Sequence, residues 1–124
     1  MQLNKTLYLL IAGGRDFDDY EYLKQSLNDI VYDNIIIISG AAKGADSLGE
    51  KWAAENGHSV LRFNADWDKH GRSAGPIRNA EMVKFIEQQT AKMAVFFWNG
   101  KSSGTKHCIE CCKKADIEHR IYPY

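Results

Sequence analysis

Ile35-Ile36-Ile37-Ile38-Ser39-Gly40-Ala41-Ala42-Lys43-Gly44-Ala45-Asp46 decides the fold: four β-branched residues run into a glycine-rich polar turn, which then opens into a helical pattern. The isoleucines suit a strand covered on both faces. Beyond the turn, Ala45, Leu48, Trp52 and Ala53 recur at helical spacing until Gly57 stops the run where a C-terminal cap residue belongs. The same arrangement returns elsewhere. Leu7 to Ala12 leads into Gly13-Gly14-Arg15-Asp16, and Met93 to Trp98 leads into Gly100-Lys101-Ser102-Ser103-Gly104-Thr105. Gly75-Pro76-Ile77-Arg78-Asn79 opens a helix carrying Ile77, Ala80, Val83 and Ile86, with Pro76 in the first turn, where no amide hydrogen is needed.

Between the first two strands, Tyr20, Leu23, Leu27, Ile30 and Val31 repeat at helical spacing, with Asp18 and Asp19 as capping candidates. Ser59 to Phe63 reads as a third strand and Asn64 to Ser73 as polar and irregular. A last helix runs from Gly104 or Thr105 through about Ala115, and Glu118 to Tyr122 forms a final strand that Pro123 ends. Strands alternating with helices through short connections predict an α/β chain with right-handed crossovers. The expected architecture is a Rossmann-like three-layer αβα sandwich on a parallel sheet of about five strands. Residues 1–124 form one domain, with no repeat, linker or low-complexity segment.

An apolar fraction of 44% and a charged fraction of 26% are ordinary for a soluble globular protein, and no apolar run is long enough to cross a bilayer. Leu7 to Ala12 is too short for a secretory signal, so a cytoplasmic location is expected. Lysine plus arginine and aspartate plus glutamate number 16 each, which leaves no global field to draw in a polyanion. Nucleic acid is therefore disfavoured. A local basic patch remains, because Lys43, Arg72, Arg78, Lys101 and Lys106 fall in or beside the glycine turns. Cys108, Cys111 and Cys112 share one helix face; a single CxxC supplies only part of a zinc site, so reduced thiols packed as small apolar residues are the stronger reading. Neither metal nor cofactor is expected.

A glycine-rich strand-to-helix turn lets backbone amides approach a ligand, and the following helix points its free N–H groups and positive dipole end at it. Four such turns at one sheet edge make one crevice for a small phosphorylated ligand. The P-loop is excluded, since Val95 occupies the glycine position five residues before Gly100, and no GxGxxG follows the first strand. The segment Ser39, Gly40, Ala41, Lys43, Gly44 is the most specific phosphate candidate. Asp46 is either part of the site or only a partner of the helix dipole. Gly13 and Gly14 could face the ligand, but Asp16, Asp18 and Asp19 crowd that end and favour ribose or base there. Arg15 is a clamp or a counter-charge to those acids. Arg78 is the leading candidate, because a guanidinium at a helix start is disfavoured by the dipole unless an anion is near. Asn79 stands beside it, Gly100, Ser102, Ser103, Gly104 and Thr105 form the last turn, and Asp66, Trp67 and His70 could order or stack on a base.

Together, Gly13-Gly14-Arg15-Asp16-Phe17, Ser39 to Asp46 with Trp52-Ala53, Ala65-Asp66-Trp67, Ala74-Gly75-Pro76-Ile77-Arg78-Asn79 and Gly104-Thr105 give a nearly full-length resemblance. The chain resembles the YspA-type, cpYpsA-related branch of the SLOG superfamily, which is Rossmann-like and related to the Lonely Guy phosphoribohydrolases and the DNA-processing protein DprA. The resemblance implies a pocket for a nucleotide or nucleotide-derived ligand, with ADP-ribose-like or cyclic nucleotide signals proposed for the superfamily. It also implies sensing or sequestration, often in conflicts between phage and bacteria, and assembly into a dimer or tetramer; Trp98 and Tyr124 are candidates to pack between subunits. The Lonely Guy pattern PGGxGTxxE is not kept. Trp98-Asn99-Gly100 fills its first three positions, one extra residue precedes Gly104-Thr105, and Cys108 stands where the glutamate belongs. Arg78 matches that family's arginine. A phosphoribohydrolase using Arg78 with Glu81 or Glu110 is thus the alternative, although Glu110 lies about 200° round a helix from Cys108. DprA-like binding of single-stranded DNA is a further alternative, against which the balanced charge weighs.

Overall fold

The computed structural model describes residues 5–124. Five strands, β1 (Thr6–Gly13), β2 (Asn34–Ser39), β3 (Ser59–Arg62), β4 (Lys92–Trp98) and β5 (His119–Pro123), form one parallel sheet in the order β3-β2-β1-β4-β5. The register pairs Leu9 of β1 with Ile37 on one side and Met93 on the other. The alternation of strand and helix is the expected one, and the architecture is the Rossmann-like α/β sandwich that the apolar runs predict.

The helices are α1 (Tyr20–Leu27), α2 (Ala45–Glu55), α3 (Trp67–His70), α4 (Ala74–Glu87) and α5 (Ser103–Lys114). Alternate side chains along each central strand point to opposite faces, and the two faces carry two cores. Leu7, Leu9, Ile11, Ile35, Ile37 and Val95 pack with Leu23, Leu27 and Trp52 of α1 and α2. Leu10, Ile38, Ala94 and Phe96 pack with Met82, Val83 and Ile86 of α4 and with Cys108, Ile109 and Cys112 of α5. Burial pushes the Cys112 thiol up to about 12 and raises that of Cys108 as well, as suits packed, inert thiols.

Caps explain where the helices begin. Asp19 accepts the Tyr22 amide to start α1, while Asp18 caps nothing; Ser102 accepts the Thr105 amide to start α5. Gly57, at φ +72°, leaves α2 through the left-handed region.

Four expectations are corrected. Asn64 to Ser73 is not irregular: Asp66 accepts the Lys69 amide and nucleates α3, and a 3₁₀ turn at Gly71–Ser73 runs on into α4. Ile77 is 37% exposed and Ala80 is also exposed, because the buried stripe of α4 is Asn79, Met82, Val83 and Ile86, and Ile77 lies about 200° round the helix from Asn79. Val31 is 83% exposed, since α1 ends at Leu27, before the pattern reaches it. Trp98 is half-buried beside the α4 and α5 core, and its indole N–H donates to the Ser102 carbonyl at 3.0 Å. No helix among the described residues is long and apolar enough to cross a membrane.

Candidate functional site

Strand order reverses between β1 and β4: from β1 the chain moves outward to β2 and β3, then α4 carries it back across the sheet to β4 and β5. Loops leaving the C-terminal ends of β1 and β4 therefore part in opposite directions, and a crevice opens between them. It has two adjoining chambers. The first, about 420 Å³, lies between the end of β1, the start of α4 and the start of α5. The second, about 500 Å³, lies over the loop after β2. Arg15, Ala42, Trp67 and Arg78 line both. Each volume is within the range of about 300–1,000 Å³ usual for small-molecule sites.

Arg78 ties the rim together. Its Nη1 donates to the Gly40 carbonyl at 2.5 Å and its Nε to Asn79 Oδ1 at 2.9 Å, while Asn79 Nδ2 donates to the Gly104 carbonyl at 3.2 Å. One hydrogen-bonded chain thus joins the loop after β2 to the first turn of α5 through the first turn of α4. Nη2 of Arg78 donates to nothing among the described residues.

The cations separate by location. Arg62 is bonded to Glu50 and Arg120 to Asp29, both away from the crevice, whereas Arg15, Arg72 and Arg78, which line it, form no salt bridge among the described residues. The Arg15 guanidinium carbon instead lies 5.8 Å from the centre of the half-exposed Trp67 ring.

Asp46 is the one carboxylate lining either chamber among the described residues, and it is 5% exposed. Its Oδ2 accepts the Ala42 amide at 3.3 Å. Burial pushes its pKa up to about 6, although that amide and the Arg78 guanidinium pull the other way. Ala41, which precedes Ala42 in the loop, is held at φ +59°, a region costly for a residue with a side chain. Across the crevice the Ser102 and Thr105 hydroxyls sit 3.0 Å apart.

The structure gathers most of the expected residues. Gly13, Arg15, Asp46, Trp67, Arg78, Asn79 and Ser102 to Thr105 line the first chamber, and Arg15, Gly40, Ala41, Lys43, Trp67 and Arg78 the second. Others serve the fold. The Gly14 amide donates to the Phe97 carbonyl, its own carbonyl accepts from Phe17 and Ala45, and a Cβ there would meet the Tyr124 hydroxyl. Gly44, at φ +78°, presses against Gly14 and Arg15, where a Cβ would collide with the Gly14 oxygen. Asp16 accepts the Tyr124 hydroxyl at 2.6 Å, the Ser39 hydroxyl donates to Glu50, Asp66 caps α3, and Gly100 lines neither chamber. Glu81 and Glu110 are exposed and also line neither. Sequence reasoning missed Met82, His107 and Cys108 as lining residues. Cys108 had a signal: it follows Gly104 and Thr105 by one helical turn and so shares their face.

Comparison with known proteins bears on the family of the chain. The family described as YspA, cpYpsA-related SLOG matches residues 8–70, from β1 through α3. Gene 61 protein of Mycobacterium phage D29 is 33% identical over 117 residues, covering 88% of this chain and 90% of that protein.

Proposed function

The chain belongs to the YspA, cpYpsA-related SLOG family, and on that premise we propose that its crevice binds a nucleotide or nucleotide-derived ligand, holding it as a sensor or sequestering protein. One observation carries the reading: among the described residues the three arginines on the crevice form no salt bridge, while the two elsewhere do. Of the three, Arg15 and Arg72 are exposed and Arg78 is partly buried with its Nη2 donating to nothing among the described residues, and phosphate offers paired oxygens at the spacing a guanidinium matches. The first turn of α5 adds the Ser102 and Thr105 hydroxyls and a helix dipole of the right sign. Trp67, pre-set by the Asp66 cap, supplies a flat face for a base.

The ligand is held without turnover. The carboxylates that a phosphoribohydrolase would draw on, Glu81 and Glu110, line neither chamber, and Asp46 is engaged by the Ala42 amide. Two chambers of this size also suit a small molecule better than a stripe for single-stranded DNA. Self-association into a dimer or tetramer belongs to the same reading, and sedimentation would measure it.

Thermal unfolding with nucleoside mono- and diphosphates, ADP-ribose and cyclic nucleotides tests the proposal. Ligand at one hundred times its Kd stabilises the fold by about 2.7 kcal/mol, a rise of about 10 °C for a chain of this size. Arg78→Ala should abolish that increment and Arg78→Lys restore only part of it. An increment unchanged in Arg78→Ala, or free base appearing on chromatography, would overturn the reading.

A further inference from the structure

We infer that the second chamber is an anion subsite in its own right, so that the ligand carries two linked phosphoryl groups that straddle the waist between the chambers. The inference rests on the nucleotide-binding reading above and narrows its ligand to the diphosphate class. Three features of the crevice point there. The chambers differ in chemistry: the first sets the apolar Trp67, Met82 and Ala12 and the carboxylate of Asp46 beside Arg72, Asn79 and Thr105, a lining that takes a nucleoside as well as a phosphoryl group. The second is lined by Arg15, Lys43 and Arg78 and by no carboxylate.

The waist is cationic as well. Two of the four residues shared by the chambers are Arg15 and Arg78, and neither forms a salt bridge among the described residues. A single phosphate at the waist would meet these two but leave Lys43, an exposed cation lining a chamber of about 500 Å³, without a contact to the ligand. A diphosphate spans both positions, with its second phosphoryl group between Lys43 and the waist.

The chain of bonds from Gly40 through Arg78 and Asn79 to Gly104 fixes the distance between the loop after β2 and the start of α5. The two anion positions are therefore set by the fold before any ligand arrives, which lowers the cost of ordering them on binding.

Two sources share this chemistry: a free diphosphate terminus, as in a nucleoside diphosphate, and a diphosphate esterified at both ends, as in ADP-ribose. The test is titration calorimetry at fixed ionic strength with inorganic phosphate, inorganic pyrophosphate, AMP, ADP and ADP-ribose. Wild type, Lys43→Ala and, as a distant cation control on the last turn of α5, Lys113→Ala are compared. Pyrophosphate should bind at least tenfold tighter than phosphate, and ADP or ADP-ribose at least tenfold tighter than AMP. Lys43→Ala should erase those ratios and leave AMP within about twofold, whereas Lys113→Ala should change none of them. The tighter of ADP and ADP-ribose identifies the source.

Equal affinity for AMP and both diphosphates, or an equal loss for every probe in Lys43→Ala, overturns this inference and leaves the nucleotide-binding reading intact. Failure of every probe to bind overturns both.

Discussion

Asp46 gives the sharpest physical test of the crevice, because its cost is large, local and tied to one pH window. Burial raises its pKa from 3.8 to about 6, and at about 1.4 kcal/mol per pH unit that rise corresponds to about 3 kcal/mol. The sign follows from proton counting. Between about 3.8 and 6 the folded chain holds a proton on Asp46 that the unfolded chain has released, so stability falls as pH rises through that window. Asp46→Asn keeps an acceptor for the Ala42 amide but cannot ionise. Below pH 4 the difference between variant and wild type should be a constant offset. Above pH 6 the variant should have gained up to about 3 kcal/mol on wild type, equivalent to roughly 10 °C in Tm. Urea unfolding of both proteins at pH 4 to 8 measures the difference, and other titrating groups cancel in it. A difference that stays flat with pH, or wild type gaining on the variant as pH rises, would refute the reasoning.

The same carboxylate competes with an anionic guest for Arg78. A diphosphate diester such as ADP-ribose keeps its charge at mildly acid and neutral pH, so its affinity should tighten more steeply as pH falls through about 6 in wild type than in Asp46→Asn, where only other groups such as His107 can contribute, read by calorimetry. Gly44→Ala should cost about 3 kcal/mol or more in urea unfolding, because φ +78° is strained for alanine and the new Cβ would meet the Gly14 carbonyl. Arg120→Ala breaks a pair whose Asp29 partner is mostly exposed; it should cost no more than about 1 kcal/mol and leave ligand-induced stabilisation unchanged, which separates crevice arginines from ordinary surface ones.

The fold was legible because its central strands are nearly pure apolar runs. Leu7 to Ala12 and Ile35 to Ile38 admit no other reading once a glycine turn follows each. Short elements were harder. Residues Trp67 to His70 form a helix only because Asp66 caps them and α4 follows at once, and neither circumstance appears as periodicity. The glycine turns show a deeper limit. Sequence reveals that a backbone must be approached closely, but not by what: at Gly13, Gly14 and Gly44 the visitor is the protein's own chain, while a Cβ on Gly104, which lines the crevice, would meet nothing within 4 Å. Asp16 and Ser39 show the same limit, since their partners Tyr124 and Glu50 lie 108 and 11 positions away and leave no local trace.

The family match ends at residue 70, yet the crevice needs both halves of the chain. Residues 8–70 contain Arg15, Lys43 and Trp67, and so supply nearly all of the second chamber and the aromatic wall shared by both. Arg78, Asn79 and Ser102 to Thr105, which complete the first chamber, lie beyond that segment. The hydrogen bond from Arg78 to the Gly40 carbonyl joins the halves at the waist. Its loss in Arg78→Ala should therefore weaken phosphate and nucleoside contacts together, whereas Lys43→Ala removes only the former. The contrast between those two variants measures how far the site divides along the same line as the sequence.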